Sequence, residues 1–298
     1  MNKVSKNLVS KWSIKVNALK KSYIAAFNIL QMRDFFQSKP KLLWILLSGL
    51  FVSNTLIAEF MGVKLFSLEK TFGYPEVNWT LLGQPNLNFT LSAGVLLWPV
   101  VFIMTDIINE YYGRRGVKIL TYMTAGLITY GFVMLTFAME LSPAEFWRTA
   151  HISPSLSDAE RQAALLQVGD YNQAYNLVFG QSRWIIFGSI VAFLISQIVD
   201  VRVFHSIKSR TGEGKIWLRS TGSTLVSQLI DTFVVGIIAL HFGLHIPLAQ
   251  VIATCIMGYL YKGSVALLLT PIIYALHGAI DTYLGHSQAE EMKIEAAL

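Results

Sequence analysis

Residues 97–115 read LWPVVFIMTDIINEYYGRR. The stretch continues an apolar run that begins near residue 89, then places Asp106, Asn109 and Glu110 at i, i+3 and i+4 on one helical face before ending in Arg114-Arg115. Crossing a bilayer core takes about 20 predominantly apolar residues, which is the length of this run. Similar runs occur at 42–60, 117–138, 184–203, 222–243 and 248–276. Composition agrees: of 298 residues 53% are hydrophobic and 14% charged, against roughly 25% charged in an average soluble domain, and the mean hydropathy is +0.49. The expected fold class is an all-α membrane protein, a bundle of six transmembrane helices.

The basic residues set its orientation. Nine Lys and Arg precede the first run, Arg114, Arg115 and Lys118 lie in the second-to-third turn, five lie between the fourth and fifth runs, and Lys293 is in the tail. The opposite side holds Lys64, Lys70, Arg148, Arg161 and Arg183. Eighteen against five puts both termini in the cytoplasm by the positive-inside rule. The net charge of +6 is thus explained by topology, and no nucleic acid is expected as a partner. The chain divides into a basic amphipathic segment (1–41), a transmembrane domain (42–276) with an outer loop at 139–183, and a cytoplasmic tail (277–298).

In the first segment Val4, Leu8, Trp12, Leu19, Tyr23, Phe27 and Leu30 recur at roughly helical spacing, which predicts an interfacial helix. No small-residue cleavage site follows a short apolar stretch there, which argues against a cleaved signal peptide. In the outer loop Ser157-Asp158-Ala159-Glu160 has the form of a capping box and predicts a short surface helix. The single cysteine, Cys255, excludes a disulfide framework. His241 and His245 have metal-ligand spacing but no evident third ligand, so no metal is expected. No cofactor motif is present.

Polar groups inside the spans carry the functional argument, because a charge at mid-bilayer costs roughly 2.5 to 3.5 kcal/mol on insertion. Asp106 lies deeper than Glu110, which is expected nearer water; the bland reading of Asp106 is a solvated helix end near the cytoplasmic surface. Ser196-Gln197-Ile198-Val199-Asp200 in the fourth span and Ser227-Gln228-Leu229-Ile230-Asp231 in the fifth repeat one pattern. Arg219, Ser223, Ser227 and Asp231 recur every four residues, a polar stripe that cannot face lipid. Lys262 lies near the middle of the sixth span, at a depth similar to that of Asp231, and is expected to pair with it as an internal counter-ion. Pro99 and Pro271 are expected to kink the second and sixth spans, and Asn54 adds an amide to the first.

These residues resemble the queuosine precursor transporter family. The resemblance rests on Gly94, Trp98-Pro99 and Thr105 through Gly113 with Arg114-Arg115, supported by Asn54, Gln197, Asp200, Phe204, Trp217, Ser223, Thr224, Asp231-Thr232, Lys262 and Pro271. It runs from about residue 42 to 276, in order and spacing. The basic N-terminus and the 139–183 loop depart from the family. The resemblance implies import of 7-deazaguanine precursors of queuosine, preQ0 or preQ1, across a bacterial inner membrane for tRNA modification. Such a ring presents N1–H and an amine to a carboxylate, a carbonyl to an amide, and a face to an aromatic side chain. Substrate-binding candidates are Asn54, Asp106, Asn109, Gln197, Asp200, Gln228 and Asp231. The bilayer and the base are the expected partners, with a homo-oligomer or a coupling ATPase left open. Two alternatives remain at this point: a substrate-binding subunit of an energy-coupled vitamin importer, and an intramembrane enzyme using paired aspartates.

Overall fold

The computed structural model describes residues 37–180, 183–212 and 215–297. The interfacial helix expected near the N-terminus lies almost wholly outside the described residues. The chain divides into two compact units, one ending at Gly49 and one spanning Leu50–Leu298, and the candidate site belongs to the second.

Helix α1 covers Lys39–Met61. The segment after it consists of short strands with one helical turn at Leu68–Thr71, which adds two small sheets to the otherwise helical fold that was expected. Strand β1 (Leu65–Ser67) pairs antiparallel with β4 (Thr90–Ser92), and β2 (Trp79–Leu81) pairs with β3 (Gln84–Leu87). Leu82 and Gly83, at φ 52° and 73°, make the tight turn between β2 and β3. Glu69 fastens the two ends of this region, its Oε1 accepting the Phe89 N–H at 2.9 Å and its Oε2 the Ser67 hydroxyl at 3.2 Å.

Helix α2 spans Trp98–Glu140, so the expected second span is helical only from Trp98 and runs on into the third. Its 43 residues would reach about 65 Å if straight, twice the hydrocarbon core. Gly113, at φ 66° and ψ −171°, divides it into two arms. A side chain is excluded there twice over, by the left-handed φ and because a Cβ would lie 2.7 Å from the Ala296 carbonyl oxygen.

The outer loop holds α3 (Asp158–Gln167), started by the expected capping box of Ser157 and Glu160, and a second helix, α4 (Tyr171–Phe179), capped by Asp170. Then follow α5 (Arg183–Thr211), α6 (Ile216–Gly236) with a π-helical extension Ile237–Gly243, α7 (Leu248–Leu268), α8 (Thr270–Leu284) and α9 (His286–Ala297). Pro99 and Pro271 occupy the first turns of α2 and α8. There the missing N–H has no intrahelical acceptor to lose, so both prolines start helices and neither kinks one. The expected sixth span therefore ends at Leu268, and the tail is helical.

Among the described residues, five helical stretches are long and apolar enough to cross a membrane: α1, α2, α5, α6 with its extension, and α7. Large apolar side chains lie on their outer faces, with Phe137 62%, Phe187 55% and Leu268 76% exposed, whereas Asp106, Glu110, Arg219 and Gln228 are buried. That inversion suits a hydrocarbon solvent, where polar groups must find partners within the bundle. Helices α5 and α6 pack along their length, α5 also meets α2, α7 packs on α6, and α9 lies against α2.

Candidate functional site

Gly94 determines how closely the wall of the site approaches α1. A Cβ at this position would lie 2.7 Å from the Ala58 carbonyl oxygen, so only a glycine lets the 3₁₀ turn Ala93–Leu96 sit against α1 and launch Trp98 inward. Trp98 stacks on Phe102 one turn later, ring centroids 6.0 Å apart and planes 20° from parallel. Both rings line a cavity between α2, α6, α7 and the start of α8, together with Tyr261, Asp106, Gln228 and Lys262. Thr221 and Thr224 of α6 complete its polar side.

Of the polar stripe expected on α6, Arg219, Ser223, Thr224, Ser227 and Gln228 are buried and Asp231 is part-buried, and Thr224 and Gln228 line the cavity. Ser220, which the sequence reading did not single out, donates its hydroxyl to Asp106 Oδ2. Asp106 Oδ1 has no partner among the described residues, nor have the side-chain oxygen and nitrogen of Asn109 and Gln228, the Gln197 Oε1 or the Asp200 Oδ2. Asp200 Oδ1 accepts from Ser227 Oγ at 3.1 Å. As expected, Asp106 and Asp200 lie within electrostatic range of each other. Buried polar atoms without partners are costly, and those of Asp106 and Gln228 belong to residues that line the cavity.

Of the candidates, Asp106 and Gln228 line the cavity, while Asn109, Gln197 and Asp200 are buried and lie outside its immediate lining. Asp231 meets Lys262 at 2.8 Å, Oδ2 to Nζ, and Lys262 faces the cavity. Asn54 is not among the lining residues; its amide nitrogen donates to the Leu50 carbonyl of its own helix at 2.8 Å. His241 Nδ1 lies 2.8 Å from the Ile246 carbonyl, and no cluster of three or more His, Cys, Asp or Glu side chains able to hold a metal occurs among the described residues.

Contrary to the sequence reading, Glu110 does not lie nearer water. Glu110 is fully buried and holds Arg219 and Lys208. Glu59, in the expected first span, was also overlooked: it is buried and takes the Ser189 hydroxyl. The signal was present, since Glu59 is a lone charge in an apolar run, the same feature that marked Lys262.

The chain is 29% identical over 190 residues, 63% of its own length and 72% of the other's, to a protein of Bacillus subtilis (strain 168) named "Probable queuosine precursor transporter". No solved structure matches. The model of the family described as "Putative vitamin uptake transporter" matches residues 92–276, from β4 through the cavity-lining helices into α8. These matches agree with the resemblance read from the motifs, and they place the chain with transporters and not with enzymes: it is a multi-pass membrane protein belonging to that uptake-transporter family.

Proposed function

We propose that this chain imports 7-deazaguanine precursors of queuosine, preQ0 or preQ1, across a bacterial inner membrane. The observation that carries the reading is the cavity itself: stacked Trp98 and Phe102 and the ring of Tyr261 on one side, with Asp106, Gln228 and Lys262 as its polar groups. A planar purine-like base needs this inventory. Its face stacks on an aromatic ring, worth roughly 1 to 3 kcal/mol per base in other systems. Its N1–H and exocyclic amine are donors for the free Asp106 Oδ1 and the Gln228 amide oxygen, and its carbonyl is an acceptor for Lys262 or the Gln228 amide nitrogen. The name of the Bacillus relative supports the same substrate class.

In this reading the chain crosses the membrane six times, because each arm of α2 on either side of Gly113 crosses separately. Both termini then lie in the cytoplasm, as the distribution of Lys and Arg requires. Asn109, Gln197 and Asp200, buried beyond the cavity lining, continue the polar path toward the inner face. The test is uptake of preQ0, preQ1 and queuine, each supplied to a queuosine-auxotrophic cell expressing this chain. Restored tRNA modification with preQ0 or preQ1 is expected; no restoration with any of the three refutes the substrate class.

A further inference from the structure

Glu59 lies in the last turn of α1, 8% exposed, and the cavity residues do not include it. Ser189 Oγ of α5 sits 2.6 Å from one of its carboxyl oxygens and 2.7 Å from the other. Among the described residues no other side chain hydrogen-bonds this carboxyl. A serine hydroxyl has one hydrogen to give. If Glu59 is ionised, one of these two short oxygen–oxygen contacts has no proton in it. If Glu59 is a carboxylic acid both contacts are filled, the hydroxyl donating to one oxygen and the acid donating back to Oγ.

The charges nearby point the same way. Asp231 of α6 is within electrostatic range of Glu59, and its carboxylate holds Lys262 of α7 at 2.8 Å. Among the described residues Asp231 is the charged group that acts on Glu59, with Ser189 supplying a hydroxyl from α5, and the one ammonium beside Asp231 is already held by it. Unbalanced charge among apolar helices is expensive, and a proton on one carboxylate removes it. Asp231 already has the lysine, which leaves Glu59 as the group to carry the proton. The last turn of α1 also abuts the cavity wall, through the contact of Ala58 with Gly94 just before Trp98.

We infer that Glu59 is a proton-binding site that couples occupation of the cavity to H⁺. The inference rests on the transport reading above. The step is a simple protonation: H⁺ from one aqueous side adds to a carboxylate oxygen of Glu59, and its release to the other side restores the carboxylate, one proton moving with each base. With Glu59 protonated, Lys262 belongs to Asp231 and keeps its place on the cavity wall, the arrangement seen here. With Glu59 ionised, a second negative charge bears on Asp231 and disturbs its pairing with Lys262, so the wall changes. A base that binds one arrangement better is then linked to the proton, and the coupling is reciprocal.

Two measurements test this. Infrared spectra of the purified chain in lipid at pH 7, with no base present, should contain a carboxylic C=O band that Glu59→Gln abolishes and Glu59→Asp shifts, although a solvated carboxyl is ionised at that pH. A band unchanged in both variants overturns the site. In proteoliposomes an inward pH gradient should raise uptake of labelled preQ1 several-fold for the wild type, while Glu59→Gln equilibrates preQ1 with no response to the gradient. Equal stimulation of the variant, or a sodium gradient replacing the proton gradient, overturns the coupling. The infrared band is read without substrate, so failure to take up any base refutes the transport reading and leaves the proton site to be judged separately.

Discussion

Arg219 Nη2 lies 2.7 Å from Glu110 Oε1 and its Nε 3.0 Å from Oε2, a two-point grip in which both side chains are almost wholly buried. Lys208 Nζ adds a third contact at 3.2 Å, and the Arg219 Nη1 donates to the Gly212 carbonyl at 2.9 Å. The grip ties α2, α5 and α6 together one helical turn from Asp106. Removing one partner of a buried pair leaves the other charge uncompensated, at a cost of about 3 to 5 kcal/mol. Glu110→Gln is therefore expected to lower the melting temperature of the detergent-purified protein markedly and to reduce membrane expression. A melting temperature equal to that of the wild type would show that the network contributes little.

The sequence made the membrane class, the start of α3 and the Asp231–Lys262 pair legible, because each depends on local pattern or on counting depth along helices. Partners that depend on how helices face one another were not legible. The i+4 spacing put Glu110 on the Asp106 face but could not show that Arg219, more than a hundred residues on, would bury it. The prolines misled for a related reason: a missing N–H breaks a helix interior and suits a helix start, and the choice depends on where the helix begins. At Trp98 the closeness of Gly94 to α1 makes that choice, a contact that no periodicity records.

Asp231 and Lys262 are each about one-fifth exposed, so their attraction is partly screened. Asp231→Asn or Lys262→Met alone should cost about 2 kcal/mol by leaving a charge in the bundle without its partner. The double substitution should recover at least part of this loss in a thermal-unfolding cycle. Strictly additive single losses would count against direct pairing.

Asp106 and Asp200 are tested for ligand contact by Asp→Asn, which keeps size and replaces one acceptor oxygen by a donor. If Asp106 Oδ1 receives the base's donor edge, the substituted amide can place donor against donor, a change of roughly 1 to 3 kcal/mol or more. Asp106→Asn is expected to reduce 7-deazaguanine uptake at least about tenfold at unchanged membrane expression. Asp200→Asn, buried beyond the cavity lining, is expected to reduce it as well. Normal uptake by both variants would leave these carboxylates a structural role only.

The C-terminal helix gives a prediction with a pH sign. Lys293 Nζ of α9 lies 2.8 Å from Asp281 Oδ2 of α8, Tyr111 of α2 donates its hydroxyl to Asp281 Oδ1 at 2.7 Å, and Lys208 Nζ reaches the Lys293 carbonyl at 3.4 Å. Partial burial works against an ionised Asp281, yet the bonds from Lys293 and Tyr111 outweigh it and hold the carboxyl below its ordinary value of 3.8. A carboxyl with a depressed folded value stabilises fully above the ordinary value, and the stabilisation is lost as pH falls through the depressed one. Docking of α9 on α2 should therefore be insensitive to pH near neutrality and weaken only in strong acid. Asp281→Asn should loosen it at pH 7, raising amide exchange over residues 289–297 by on the order of tenfold, the equivalent of one charge-assisted hydrogen bond of about 1.5 kcal/mol. Gly113→Ala should loosen the same helix by a different route, since its Cβ would press on the Ala296 carbonyl. If exchange over 289–297 is unchanged in both variants, α9 is held by contacts other than these.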